Sequence, residues 1–559
     1  AGLDPCGALQ TRIDLAADAT AEVVLFLGDA ATKEGAGALI ARYRSTDLDA
    51  VMASVTRFWD EVLGAIQVRT PDRSMDVLLN RWLMYQTLAC RIWSRAGFYQ
   101  ASGAYGFRDQ LQDVMATCIS KPDVTREHIL RAASRQFVEG DVQHWWNVPS
   151  GHGVRTRISD DRIWLPFAVS HYVDVTGDVA VLDELVPFIE GPELRDGEHE
   201  SYFQPRVAAE PAPLYEHCAR AIDRSLAVGV HGLPLIGAGD WNDGMNRVGI
   251  EGKGESVWLG WFLHAAISAL TPLAESRGDV TRASAWRAHA VGVREALERD
   301  GWDGAWYRRA FFDDGTPLGS SLNDECQIDS IAQSWAAISG AGEATRATTA
   351  MLAAYTRLVD REHAIVRLFT PPFDRTALDP GYVKAYPPGI RENGGQYTHG
   401  AVWSVIAFAM LGDGDTAAEV LSLLNPINHS SSRAAIYRYK VEPYVACADV
   451  YDCAHVGQGG WTWYTGSAGW MYRACIEWLL GIRLHGPSLL IDPRIPKKWP
   501  GFAVSLRYRS ATYDVEVENP RGAGFGVTAI GIDGRSLAGA GPIALVDDGA
   551  AHRVKVVLG

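Results

Sequence analysis

From about Ser74 to Arg483 apolar residues recur every three to four positions, the period of a helix that buries one face. Residues 75–94, 107–119, 126–137, 161–175, 214–228, 256–275, 281–299, 330–338, 344–359, 401–411, 416–424 and 468–480 carry it most clearly. Glycine- and tryptophan-rich stretches, the usual breakers, separate them. A long series of helices with no strand pattern between them predicts a mainly α fold of paired inner and outer rings, an (α/α)6 toroid. A helical solenoid fits less well, because the connecting segments do not repeat at a fixed period.

The flanks have a different texture. Near the start, Leu9, Thr11, Ile13 and Leu15 alternate, followed by Val23 to Leu27, and these read as strands. They are too few to make a stable sheet by themselves, so the chain is expected to be the later part of a longer protein. After Arg483 short alternating runs return at Phe502–Tyr508, Tyr513–Val517 and Val554–Leu558, the pattern of a small β-sandwich. The expected division is residues 1–30 as last strands of a mostly absent β-sandwich, 31–73 as a helical linker, 74–483 as the helical barrel and 484–559 as a β-sheet domain.

Bulk properties exclude several function classes. A net charge of −15 argues against a nucleic-acid partner. No apolar run reaches the roughly 18–20 residues of a membrane span; Val402 to Leu411 comes nearest. The opening residues do not form a signal peptide. The eight cysteines show no metal-ligand spacing and sit mostly in apolar helical segments, which favours free thiols and a reduced, cytoplasmic compartment. Phosphate-loop, zinc-hydrolase and nucleophile-elbow motifs are missing from the sequence, so no metal or organic cofactor is expected. The 19 tryptophans and 56 glycines suit either sugar-gripping loops or the plug of a large helical ring.

Several loops carry residues that a core would not choose. Residues 237–247 hold Asp240, Trp241, Asn242, Asp243 and Asn246. A carboxyl group close to an indole can be held protonated by desolvation, as a general acid for an ether oxygen requires. The competing explanation is an Asx-turn in which Asp240 and Asn242 only bond the backbone. Arg108 and Asp109 open a helix, where the aspartate suits the dipole and the arginine does not. Residues 151–161 hold His152, Arg155 and Arg157 ahead of a capped helix. Arg391, Glu392 and His399 fall around a glycine pair before a helix, and Thr465, Gly466 and Ser467 repeat that design. Both places are suited to an anion, or to a loop whose aromatics close the barrel.

The segments FRDQLQD, GDWNDGMN, NDECQIDSIAQSW, RENGGQYTHGAVW and WTWYTGSAGWMYR together resemble glycoside hydrolase family 94, the cellobiose and chitobiose phosphorylases. They look most like the family-94 region at the C-terminal end of cyclic β-1,2-glucan synthases. The resemblance implies Asp243 as the general acid, Arg108, Asp109 and Trp241 on the sugar at the cleaved side, Arg391 and Glu392 near the acceptor, and His399, Thr465 and Gly466 on phosphate. It implies inverting phosphorolysis of a β-linked glucoside, with inorganic phosphate as co-substrate and α-glucose 1-phosphate as product. The expected partners are an oligosaccharide and phosphate, within a larger membrane-anchored synthase or a homodimer. An inverting hydrolase in which Glu392 or Asp109 activates water, and a non-catalytic glucan-binding module, are the alternatives. Small residues at Gly389, Gly394 and Gly395 are expected either to open the acceptor side to a bent β-1,2 chain or to serve the backbone turn alone.

Overall fold

The computed structural model describes residues 7–95, 103–537 and 539–559. The chain divides into two compact units, residues 1–61 and 62–559. In the first, α1 (Lys33–Arg44) is capped by Thr32, whose side chain accepts from Gly35 N, and α2 (Leu48–Leu63) follows. The alternating segment 7–30 forms no strand, and Leu9, Leu25 and Leu27 are exposed. Alternation suits a strand, but a strand exists only where a second backbone supplies its hydrogen bonds. Among the described residues none does.

In the second unit the helices close on themselves. An outer helix, α3, covers residues 73–94, with π-type turns at Leu78–Trp82 and Thr87–Ser94. It is followed by α4 (Phe107–Met115), α5 (Pro122–Ala133), α6 (Trp164–Thr176) and α7 (Leu214–Asp223). Next come α8 (Val257–Ser276), α9 (Val280–Arg299), α10 (Ser330–Ile338) and α11 (Ala344–Leu358). The last are α12 (Thr398–Met410), α13 (Gly414–Leu424) and α14 (Ser467–Arg473). Contacts run α4–α6–α8–α10–α12–α14 and back to α4, while α5, α7, α9, α11, α13 and α3 pack outside α4, α6, α8, α10, α12 and α14 in turn.

The sequence dictates which helix goes where. In α12 every residue from Thr398 to Ala409 is buried, as an inner helix requires, whereas α11 buries only the stripe Ala347, Ala350, Met351, Ala354 and Leu358. The inner helix α8 is also long and apolar enough to cross a membrane by composition, a segment the sequence reading passed over. Two thirds of its apolar window is buried inside the ring. The axis is filled by indoles. Trp164, Trp335, Trp403 and Trp470, from four inner helices, stand with ring centroids 5.3 to 6.4 Å apart, and Phe262 lies 4.2 Å from Trp164. Much of the unusual tryptophan content is therefore packing, in edge-on contacts that indoles favour.

Strands are more widespread than the periodicity indicated. Ile66–Arg69, inside the expected linker, is the edge of a six-stranded sheet with Gly501–Tyr508, Ala511–Glu518, Ala551–Leu558, Val527–Ile532 and Arg535–Ser536. Its register places Val68, Val504 and Val515 in one row and Ile66, Leu506 and Tyr513 in the next, all buried. A second, four-stranded sheet lies between the helices: Ala104–Gly106, Gln143–Asn147, Gly153–Thr156 and Glu200–Phe203. These strands are three to five residues long, mostly too short to show a period of two.

Loop 237–247, between α7 and α8, is held by a buried ion pair. Arg309 and Asp240 are both fully buried; Arg309 Nη2 and Nη1 donate to Asp240 Oδ1 and Oδ2 at 2.5 and 2.7 Å, and Ser256 Oγ donates to Oδ2 at 2.7 Å. Burial raises the Asp240 pKa, but the guanidinium outweighs it and the net shift is downward. Asp329 Oδ2 lies 3.4 Å from Arg309 Nε on the other side. Arg309→Met strands two buried carboxylates, so stability is expected to fall by about 3–5 kcal/mol, read from the urea midpoint. Adding Asp240→Leu should recover part of the loss. A single-variant loss below about 1 kcal/mol, the size typical of an exposed pair, would show that the pair does not hold the loop.

Candidate active site

At the N-terminal ends of α4 and α12 a cavity of about 560 Å³ opens. Each residue that the family resemblance assigns to the site lines it: Arg108, Asp109, Trp241, Asp243, Arg391, Glu392, His399, Thr465 and Gly466. They come from four of the five quoted segments.

One wall is built on Arg108, in the first turn of α4. Its Nη1 donates to Asp160 Oδ1 at 2.9 Å and to the Asp240 carbonyl at 2.8 Å, and its Nη2 donates to Asp243 Oδ1 at 2.5 Å. The arginine that a helix dipole disfavours is thus fixed by three acceptors and spans from the barrel to the loop. Asp240 and Asp243, equivalent in the sequence, are separated here. Asp240 is sealed against Arg309, while the Asp243 side chain is 34% exposed and faces the cavity. Asn242 caps the turn, accepting from Gly244 N at 3.0 Å, and Asp240 Oδ1 accepts from Asn242 N at 3.2 Å, so the Asx-turn explanation holds for Asn242 and for part of Asp240 and does not extend to Asp243.

His144, which the sequence reading did not single out, stands beside Asp243. Its Nε2 is 3.7 Å from Asp243 Oδ2 and its Nδ1 donates to Asp161 Oδ2 at 2.8 Å. Burial opposes its charge, but Asp161 and Asp243 outweigh burial and raise its pKa to about 9. It is a cation at neutral pH.

The opposite chemistry gathers around His399, Thr465 and Gly466. Arg91, an arginine on α3 that also escaped notice, is buried there; its Nε donates to Asp113 Oδ2 at 2.9 Å, its Nη2 is 3.6 Å from Asp109 Oδ1, and it covers the Tyr464 ring at 4.2 Å. Burial raises the Asp109 pKa, but Arg91 and Arg108 outweigh it and the carboxylate is favoured. Its carboxylate folds back over Gly106, where a Cβ would stand 2.0 Å from Asp109 Oδ2. Thr465 Oγ1 and Ser467 Oγ share a hydrogen bond of 2.8 Å.

Arg391 and Glu392 form an ion pair of 3.2 Å, with the guanidinium over Trp461 at 4.9 Å and Tyr386 at 5.2 Å. Trp241 is edge-on to Tyr397 and His399, with centroids at 5.5 and 5.3 Å. Aromatic faces of this kind suit the C–H face of a pyranose. The glycines play a different part from the open acceptor side considered in the sequence. Gly389, Gly394 and Gly395 are buried and do not line the cavity among the described residues. Gly389 and Gly394 have φ of 81° and 77°, and a Cβ on Gly389 would meet the Asp452 carbonyl at 1.8 Å. They serve the turn that presents Arg391. Arg155 is likewise structural, bound to Asp141 and Glu139 beneath the sheet, and His231 donates to Glu255.

Comparison with known proteins agrees with the arrangement. Residues 58–481 match the catalytic domain of the glycosyl hydrolase 94 superfamily, residues 1–46 its supersandwich domain, and residues 482–529 the C-terminal domain of glycosyl hydrolase family 65. The chain is 51% identical over 529 residues to cyclic β-(1,2)-glucan synthase NdvB of Rhizobium meliloti (strain 1021), covering 94% of this chain and 19% of that protein. It is 31% identical to N,N′-diacetylchitobiose phosphorylase of Vibrio furnissii, covering 99% and 70%, and 22% identical to 1,2-β-oligoglucan phosphorylase of Listeria innocua serovar 6a, covering 85% and 45%. In fold it resembles a GH78 family rhamnosidase of Bacillus sp. GL1, with a TM-score of 0.52 at 12% identity over 88% of this chain and 44% of that one. The chain therefore spans about a fifth of the length of the glucan synthase it matches, 19%. With 58–481 matched to its catalytic domain and the motif residues gathered around one cavity, the chain belongs to glycoside hydrolase family 94.

Proposed function

We propose that this chain is the catalytic part of an inverting glycoside phosphorylase built on an (α/α)6 toroid, the reading that the cyclic helix contacts support. The observation that carries it is the meeting, in one cavity, of a partly exposed Asp243 with an anion-suited corner of Arg91, His399, Thr465 and Gly466. Asp243 protonates the glycosidic oxygen through Oδ2, the oxygen not engaged by Arg108. Phosphate, already anionic, attacks the anomeric carbon from the opposite face, so no protein base has to activate it. A β-linkage then gives an α-sugar 1-phosphate. Arg108, Asp109 and Trp241 hold the sugar at the cleaved side, and Arg391 and Glu392 the acceptor. Arg91 joins Thr465 and Gly466 as a phosphate donor, and the His399 ring completes the corner.

An inverting hydrolase needs a second carboxylate, roughly 6.5–9.5 Å from the acid, to activate water. The two candidates in the cavity, Asp109 and Glu392, each have an arginine as ion-pair partner, Arg91 and Arg391. For Asp109, Arg91 and Arg108 outweigh burial and hold the carboxylate's pKa down, which favours phosphate as the nucleophile. The substrate reading is a β-1,2-linked gluco-oligosaccharide; it draws on the likeness to a cyclic β-(1,2)-glucan synthase and a 1,2-β-oligoglucan phosphorylase, and no longer on the buried glycines. The cytoplasmic location expected from cysteine usage belongs to the same proposal, as does an assembly with further synthase segments. The second reading, a glucan-binding module, takes its support from the small share of the synthase that the chain spans, 19%.

Turnover on linear β-1,2-gluco-oligosaccharides should require phosphate and exceed turnover on cellobiose. Asp243→Asn should lower it by about 10²–10⁴-fold while oligosaccharide binding persists. Equal cleavage of cellobiose overturns the substrate assignment alone. Turnover without phosphate points to the hydrolase, and binding without turnover to the module.

A further inference from the structure

His399 sits in the corner assigned to phosphate, and its hydrogen bonds decide which ring nitrogen carries a proton. Trp470 Nε1 donates to Gln112 Oε1 at 3.0 Å. An indole N–H can only donate, which fixes this amide atom as oxygen. The Gln112 amide nitrogen agrees, lying 3.3 Å from the Arg108 carbonyl. The same Oε1 lies 2.9 Å from His399 Nε2. A carbonyl oxygen cannot donate, so His399 Nε2 holds the hydrogen and the neutral ring is bare at Nδ1.

The bare edge faces the cavity corner. A Cβ built on Gly466 would stand 3.3 Å from both Nδ1 and Cε1 of His399 and 3.2 Å from Asp113 Oδ1. Among the described residues nothing bonds Nδ1. The ring is surrounded by Arg91 from α3, by Arg108, Asp109 and Asp113 from α4, by Tyr397 on its own segment and by Tyr464 ahead of α14. Burial is the main influence on its charge and, with Arg91 and Arg108 adding to it against Asp109, lowers its pKa to about 3. It is therefore neutral when the cavity is empty.

Resting on the phosphorylase reading, we propose that His399 Nδ1 accepts the proton of the attacking hydrogen phosphate, and that Gln112 and Trp470 are positioning residues that hold the required tautomer. An acceptor of this kind lets the product form directly as its dianion. Hydrogen phosphate dianion brings one P–OH; the product, a sugar 1-phosphate dianion, has none. As the C1–O glycosidic bond breaks, its electron pair stays on the glycosidic oxygen, which takes the proton of Asp243. A phosphate oxygen supplies the pair for the new C1–O bond, and the P–OH proton moves to His399 Nδ1. After product release the imidazolium loses that proton to cavity water and the Asp243 carboxylate regains one. Hydrogen phosphate and glycoside have then become sugar phosphate and alcohol with no net proton change.

Sulfate separates this role from simple anion binding, since it has the shape and charge of hydrogen phosphate but no proton. At about pH 8, calorimetry in buffers of different ionisation enthalpy should show phosphate binding with no proton uptake and sulfate binding with uptake of about one proton. Because sulfate requires the protonated ring, its affinity should fall about tenfold per pH unit as pH rises, while that for phosphate stays level. Gln112→Leu releases the tautomer, and proton uptake with sulfate should drop towards zero. ¹⁵N NMR of labelled histidine in the unaltered protein, assigned with His399→Asn, should show the Nε2–H form. Sulfate binding without proton uptake in the unaltered protein, or an Nδ1–H form, would overturn the proposal while leaving phosphorolysis intact. If neither anion binds, the phosphate reading of the cavity fails and the proposal with it.

Discussion

Asp240 is the residue on which the geometry of the site depends. Its carboxylate takes Arg309 and Ser256, and its backbone carbonyl takes Arg108. One buried residue thus fixes the loop to the barrel on one side and the active-site arginine on the other. Asp243, three positions further on, inherits its place from that grip. A buried ion pair adds little net stability compared with a well-packed apolar replacement, but losing one partner is costly. Its value here is positional: in this loop geometry Asp240 satisfies both guanidinium groups at once.

The ring of inner helices supplies the second constraint. With indoles filling the axis, the N-terminal ends of α4 and α12 face the cavity, where their dipoles favour negative charge. Arg91, Arg108 and His144 add positive charge, and Asp109, Asp113, Asp160 and Asp161 hold those cations in place. Burial pushes the Asp113 pKa up to about 7 even with Arg91 beside it. On the proposed phosphorylase reading, charges whose partners are already in position preorganise the site for a dianion and a sugar.

How much of this could be read in the sequence depended on how local the cause was. The helical series, the turn at Asn242 and the C-terminal strands follow from neighbours within a few residues, and periodicity showed them. The different fates of Asp240 and Asp243 were not legible, because the deciding partner, Arg309, lies 69 residues from Asp240. His144 was missed because a histidine among tryptophans on a short strand reads as core, and Arg91 because one of three arginines spaced along a helix reads as part of its solvated face. Composition left two readings open. Gly389, Gly394 and Gly395 suit either an open sugar channel or a backbone turn, and they are buried turn residues. Motif resemblance carried what local physics did not, since four of the five ordered segments meet at one cavity only once the chain has closed into a ring.

The anomeric form of the first product tests inversion by phosphate most directly. With phosphate and a linear β-1,2-gluco-oligosaccharide, combined ¹H and ³¹P NMR from the earliest turnovers should show α-glucose 1-phosphate as the glycosyl product. Appearance of β-glucose 1-phosphate, or of free glucose in either anomeric form as the first product, would contradict a single inverting attack by phosphate assisted by Asp243.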